Sequence, residues 1–487
     1  MKKTGKGQIV NFLYQFVYQI LVVLLPLITA PYISRVFGAE KTGIYSYTFV
    51  IARYFLMFAM LGVDSYGNRS IARAVHKGQE HINKTFSSIF LAHAMISVVA
   101  IIAYFVYIVC FVSEYKIIAL LQSFQVISAL LEINWFFFGI EKFKLTVARN
   151  VIIKILTVCA IFIFVRTKED LWKYTLIMSL GVFLSQLAMW FYLPKYASFV
   201  KVPLKSSFKH FKPMCVLFLA VIAINLYVKI DKMMIGYIGD MSFLGEYEYA
   251  DKMLCISTSL ITALGTVMLP RMSALFAEGN RTQINKYLNN SAQFIFFMSF
   301  AISFGLAGIS KEFMLEFLGE GYDFADDILR ILMMAVPFMG WNDFVRTQML
   351  MPKSKDFVYT RAVWAGAIVN IVLNLVFLYL WGVMGIAVAT VIAYIVTALF
   401  QTVPIRDEFD IFKYLRHAIF PIITGAIMYV VIRVIGNALG GGWTTVLIEI
   451  LVGASLYVVL NLIYLLKTKN EILLSYTNKI FKKDKQK

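Results

Sequence analysis

Charge is scarce in this chain. Asp, Glu, Lys and Arg supply only 15% of its 487 residues, where a soluble domain carries about 25%. Hydrophobic residues reach 60% and mean hydropathy is +0.74. Polar stretches between apolar runs are short throughout, so no soluble domain fits. Cysteine is rare. Cys110, Cys159, Cys215 and Cys255 fall within or at the edge of apolar runs, and none forms a C-x-x-C pair, which argues against disulfides and metal sites. The five histidines are scattered, without H-E-x-x-H or a similar ligand pattern. Alternating apolar and polar residues are missing too, which excludes the strands of a membrane barrel. No catalytic residue, metal or cofactor is expected.

What remains is a series of apolar runs near 20 residues long, each able to cross a hydrocarbon core of about 30 Å as a helix. Fourteen are predicted, at 9–33, 43–65, 86–112, 116–138, 148–165, 171–193, 214–236, 244–268, 290–309, 326–350, 358–381, 383–404, 416–436 and 443–466. The first run is full length and has no small-residue cleavage site after Met1-Lys2-Lys3, so no cleaved leader is expected. Prolines 26, 31, 337 and 421 lie inside or near the ends of runs and predict kinks.

Basic residues predict the orientation. Segments 1–8, 66–88, 139–154, 194–213, 270–290, 346–361, 406–417 and 467–487 hold 33 of the 46 Lys and Arg. They are alternate loops and both ends, and positive loops stay cytoplasmic, so both termini are expected inside. The largest outer loop, 310–327, is acidic and includes Glu312, Glu316 and Asp326. The net charge of +18 is thus explained by topology and by attraction to anionic lipid, without nucleic acid.

Eight residues recur at an offset of 202. Gly43, Tyr45, Tyr47, Arg69, Ala72 and Ile82-Asn83-Lys84 return as Gly245, Tyr247, Tyr249, Arg271, Ala274 and Ile284-Asn285-Lys286. Two unrelated amphipathic hairpins in a Tyr-rich chain are one reading. The other is two copies of a multi-helix unit. Six predicted helices separate the copies, so both have the same orientation, with a pseudo-two-fold axis along the membrane normal. The expected organisation is a lobe at 1–200, a second at 201–412, two further helices at 413–466 and a basic tail at 467–487.

Four cations remain inside the spans: Arg53, Lys229, Lys232 and Lys252. A charge at mid-membrane costs about 2.5–3.5 kcal/mol on insertion scales, so it faces a partner or a wet cavity. Lys229 and Lys232 share a face of span seven. Lys252 falls within one turn of Cys255, the repeat counterpart of Arg53. One reading is a water-filled basic cavity between the halves, suited to phosphate or diphosphate. The plainer reading pairs Lys232 with Asp231 and Lys252 with Asp251. Glu132, Lys154 and Glu449 read as structural charges nearer span ends. Asn370 and Asn374 read as interhelical hydrogen-bonding groups. Tyr14, Tyr18, Tyr45, Tyr47, Tyr247 and Tyr249 suit either an interfacial aromatic belt or contact with sugar rings.

Four stretches resemble the polysaccharide-biosynthesis flippases, the Wzx-type O-unit and capsule-repeat exporters. They are Pro31-Tyr32-Ile33-Ser34-Arg35-Val36-Phe37-Gly38 running on to Gly43-Ile44-Tyr45, Leu61-Gly62-Val63-Asp64-Ser65-Tyr66-Gly67-Asn68-Arg69, Trp135-Phe136-Phe137-Phe138-Gly139, and Asn370-x-x-x-Asn374 with Gly382-Val383-Met384-Gly385. Family members belong to the multidrug/oligosaccharidyl-lipid/polysaccharide exporter superfamily. The resemblance implies an all-α integral membrane protein of about fourteen helices, with two six-helix lobes around a cationic cavity and two extra helices behind. Tyr394 departs from the pattern, standing where an acidic residue is expected.

By the same resemblance the chain is a non-enzymatic flippase of a bacterial cytoplasmic membrane. It carries polyprenyl-diphosphate-linked oligosaccharides for surface polysaccharide, such as O-antigen or capsule. Arg53, Lys252, Lys229 and Lys232 would hold the diphosphate, and Asp231, Asp251 and Glu132 are candidates for ion coupling. The expected surroundings are membrane lipid and the polymerase and glycosyltransferases of the pathway. A peptidoglycan-precursor flippase and a drug antiporter of the same fold are alternatives. A membrane glycan polymerase fits less well, because the longest outer loop is short and lacks histidine.

Overall fold

The computed structural model describes the backbone of residues 5–467, and the side chains from Leu25 onward apart from several between 220 and 228. The first tyrosines, Tyr14 and Tyr18, and the basic tail after Lys467 lie outside the described residues. Every regular element among the described residues is helical. Twelve segments are long and apolar enough to cross a membrane. The other two expected spans, 9–33 and 214–236, fall partly on residues that are not described. Many side chains that face outward are large and apolar, among them Val99, Val109, Phe111 and Leu375. Water would penalise such a surface and lipid does not, so the chain is an integral membrane protein.

By packing, the chain divides between Gly245 and Glu246. The first unit contains α1 (Gly5–Met60), α2 (Val63–Val75), α3 (Gln79–Phe111), α4 (Lys116–Ser128), α5 (Asn134–Gly139), α6 (Phe143–Phe164), α7 (Leu171–Trp190), α8 (Leu204–Phe208) and α9 (Phe211–Ile238). It ends in the first turn of α10 (Met241–Glu278). α9 packs on α1 and α2. The expected lobe boundary at 200/201 rests on repeat and topology, not on packing.

Two features of α1 follow from glycine. Its two expected spans are one continuous element broken at Gly38, whose φ of 70° and ψ of 179° only glycine adopts easily. The break is there, and not at Pro26 or Pro31. At Gly43 the helix meets the start of α10. A Cβ on Gly43 would stand 1.7 Å from the Met241 carbonyl oxygen, and one on Gly245 would stand 2.0 Å from that of Ala39. The two repeat-related glycines thus mark a backbone-to-backbone crossing of the kind small residues allow in membranes.

The fourth expected span is not one helix. α4 ends in a 3-10 turn, Glu132 is extended, and α5 begins at Asn134. The aromatic run of α5 sinks into the core of the first unit, where Trp135, Phe136 and Phe137 pack with Phe86, Ile71 and Met214.

The second unit continues with α11 (Arg281–Leu318), α12 (Ala325–Met333), α13 (Val336–Val345), α14 (Asp356–Trp381), α15 (Val383–Thr402), α16 (Ile411–Leu439) and α17 (Trp443–Lys467). α13 runs into a π-turn at Arg346–Leu350. Helix α11 extends nine residues past its expected end, so Glu312 is a buried helical residue and not part of an outer loop. The paired helices α16 and α17 pack on α11 through Ile309, Met428, Ile432 and Tyr457.

Candidate functional site

Arg53 follows Ile51 and Ala52, which bury against Tyr104, Ile108 and Ala119. A step of one residue turns the next side chain about 100° around the helix. Arg53 accordingly leaves this packed face and is exposed. Among the described residues it has no ion pair. Eleven positions earlier in the repeat unit's opening, Thr42 bonds back to the Gly38 carbonyl oxygen at 2.9 Å and steadies the broken turn.

Lys252 stands on α10 in the second unit. Its Nζ lies 3.3 Å from Glu248 Oε1 and 4.7 Å from the ring centre of Tyr249. Of the other two cations, Lys229 is half-buried and Lys232 is only 7% exposed, beside Asp231 at 3%. Lys232 is thus a buried group in this structure. The first unit holds Arg53, Glu132, Lys229, Asp231 and Lys232, and the second holds Asp251 and Lys252.

Glu132 sits in a polar network created by the break between α4 and α5. Its carboxylate accepts from the Asn134 backbone N–H at 2.8 Å and from the side-chain amide of Gln186. Gln186 Oε1 in turn accepts from Asn134 Nδ2 at 3.1 Å and Arg149 Nη1 at 3.3 Å. Without the helix break these groups would not meet. Asn370 and Asn374 are both buried, and the Asn374 amide donates to Asn370 Oδ1 at 3.4 Å within one helix.

Two charge clusters with buried carboxylates escaped the sequence reading. Asp343 Oδ1 accepts from Arg346 Nη2 at 2.5 Å, and the Asp343 carboxylate fills a notch at Gly265, where a Cβ would lie 2.2 Å from Oδ2. The i, i+3 spacing of opposite charges was the available signal. In the other cluster Arg433 Nη1 donates to Glu312 Oε2 at 2.6 Å and to the Gly308 carbonyl oxygen at 3.1 Å. Glu449 is buried nearby, and a Cβ on Gly436 would touch both carboxylates. The run 310–327 reads as a loop because of its acids, which hid Glu312.

Solved membrane transport proteins share this helical architecture. An inward closed structure of the lipid II flippase MurJ aligns over 95% of this chain and 100% of its own, with a TM-score of 0.73 and 18% identity. An inward-facing multidrug transporter of the MATE family aligns over 81% of this chain and 97% of its own, with a TM-score of 0.64 and 12% identity. At such identities the likeness is one of fold.

Residues 9–276 match the polysaccharide biosynthesis protein family, and the chain belongs to it. A protein of Shigella dysenteriae described as an O-antigen transporter is 23% identical over 78% of this chain and 95% of its own. A protein of Haloferax volcanii described as a low-salt glycan biosynthesis flippase is 22% identical over 36% of each chain.

Proposed function

We propose that the protein is a flippase that moves polyprenyl-diphosphate-linked oligosaccharides across a bacterial cytoplasmic membrane for surface polysaccharide assembly. The observation that carries this reading is Arg53. It is exposed within a span and lacks an ion pair among the described residues, so its insertion cost of about 2.5–3.5 kcal/mol needs water or a ligand anion to offset it. A diphosphate answers that need through charge-assisted hydrogen bonds. Membership of the polysaccharide biosynthesis family and the glycan-transport descriptions of its relatives support the same substrate class.

In this reading two lobes of similar orientation rock to give alternating access. Arg53, Lys252, Lys229 and Lys232 are the candidates to engage the diphosphate, while the prenyl chain stays in lipid. No bond is made or broken. Asp231, Asp251 and Glu132 are the candidates for coupling to an ion gradient, and both termini lie inside. The likeness to the lipid II flippase is one of fold, and nothing in it favours a peptidoglycan precursor over a polysaccharide repeat unit.

Proteoliposomes holding the purified chain and a fluorescent diphospho-lipid-linked glycan test the reading directly. Reagent access should rise in both leaflets with protein present, with and without an imposed ion gradient compared in parallel. Equal access in protein-free vesicles would overturn the assignment.

A further inference from the structure

A second cationic feature lies at the end of the first unit that the charge pattern assigns to the cytoplasm. It is a pocket of about 450 Å³ where α2 meets the start of α9. Arg69 and Arg73 of α2 and Lys212 of α9 line it together with Tyr66 and Ser70, and Pro213, Val216 and Leu217 of α9 add apolar surface.

The sequence explains this arrangement. In α2 the buried residues are Val63, Gly67, Ile71 and Ala74, one stripe of a helix. Gly67 lets that stripe press on Trp135, whose ring would lie 2.5 Å from a Cβ there. Arg69 and Arg73, one turn apart, are left on the exposed side. The start of α9 is held against α2 by His210, whose Nδ1 is 2.7 Å from the Tyr66 hydroxyl and whose Nε2 is 2.8 Å from Ser88 Oγ. Lys212, two residues further on, is thereby brought to the same pocket as the two arginines.

No carboxylate lines the pocket, and among the described residues no ion pair engages Arg69, Arg73 or Lys212. Three cations held together repel one another unless an anion is present. The first-turn amides of the long helix α9 add positive potential at the same place. The repeat sharpens the point. Arg271, the counterpart of Arg69, lies 4.6 Å from the ring centre of Tyr287, so the second copy uses its arginine differently.

We propose that this pocket binds the phosphate-bearing headgroup of a membrane lipid. The three cations take the phosphate oxygens, and Pro213, Val216 and Leu217 take the start of the lipid chain. A soluble anion would use only the cations, which is why a lipid is the favoured occupant. The site is separate from Arg53 and does not depend on the proposed translocation.

The test is lipid binding by the full chain in detergent, read by native mass spectrometry. The probes are phosphatidylglycerol, farnesyl diphosphate, diacylglycerol and inorganic diphosphate. The wild-type chain should bind phosphatidylglycerol, farnesyl diphosphate or both, and should not retain diacylglycerol. The tighter of the two identifies a bulk anionic lipid or a prenyl diphosphate as the source. R69Q/R73Q/K212Q should weaken binding at least about tenfold, given the strength of charge-assisted bonds. The charge-retaining R69K/R73K/K212R should bind more tightly than the glutamine chain, since the charges persist although the bidentate fork of the arginines is lost. If the triple glutamine chain melts early, R73Q alone should still weaken binding measurably. Equal binding by wild-type and glutamine chains would overturn the proposal, as would retention of inorganic diphosphate without either lipid.

Discussion

Lys252 pairs with Glu248, one helical turn before it, with 3.3 Å between Nζ and Oε1. The sequence pointed to its neighbour Asp251, but adjacent residues on a helix diverge by about 100° while i and i+4 stand together. The Lys252 side chain is still 35% exposed, so this pair is of the screened kind, worth about 0.3–0.5 kcal/mol. Lys252→Ala should therefore leave the melting temperature in detergent nearly unchanged while lowering glycan flipping in proteoliposomes. A large drop in thermal stability would make Lys252 a structural residue.

Arg53 has no such partner among the described residues, and its removal should be felt in transport alone. Arg53→Ala should abolish surface polysaccharide at normal protein levels, and Arg53→Lys should retain part of it, since the charge persists without the bidentate fork. Full export by the alanine variant would remove Arg53 from the substrate path.

Glu132 is expected to behave in the opposite way. Its removal leaves the Gln186 amide and the Asn134 N–H without their acceptor in a buried place, a loss of about 1–3 kcal/mol for each unpaired group. Glu132→Ala should lower the melting temperature clearly and Glu132→Gln much less. If Glu132→Gln melts like wild type but transport loses its response to an ion gradient, the carboxylate is a coupling group.

The Gly43 crossing predicts a stability defect that no rotamer change can relieve. A methyl group at that position meets the Met241 backbone carbonyl at 1.7 Å. Gly43→Ala should destabilise by at least about 1–3 kcal/mol, the usual cost of overpacking. Unchanged melting would mean that α1 and the start of α10 separate without penalty.

Lys353, with Lys355 beside it, holds the Glu408 carboxyl below the usual carboxylate range through direct hydrogen bonds. A lowered carboxyl pKa contributes stability above the ordinary Glu value, and that contribution disappears as pH falls through the lowered one. The group is partly solvated, so the effect is about 1 kcal/mol or less and screened by salt. Glu408→Gln should flatten the acid side of the melting profile at low ionic strength. An unaltered profile would show that the trio contributes nothing.

Much of this was written along the chain. A helix in lipid must satisfy its own backbone and cover its length with apolar side chains, so spans and the candidate intramembrane cations are legible from runs of residue types. The offset of 202 was legible too, although its glycines gained meaning only when Gly43 and Gly245 were found at one crossing. Glu312 reads as part of a loop because acids near an apolar run look like one until the half-buried Arg433 supplies its partner.

Composition and order by themselves determined that this is a helical membrane protein with Arg53, Lys229, Lys232 and Lys252 inside its spans. Those properties depend on each segment alone, through hydropathy and charge. Only the tertiary structure decided that Lys232 is buried, that Lys252 leans on Glu248, that Glu132 belongs to a helix break, and that Arg69, Arg73 and Lys212 share a pocket. Such facts depend on which faces of distant helices meet, and packing sets those faces over spans that no local pattern encodes.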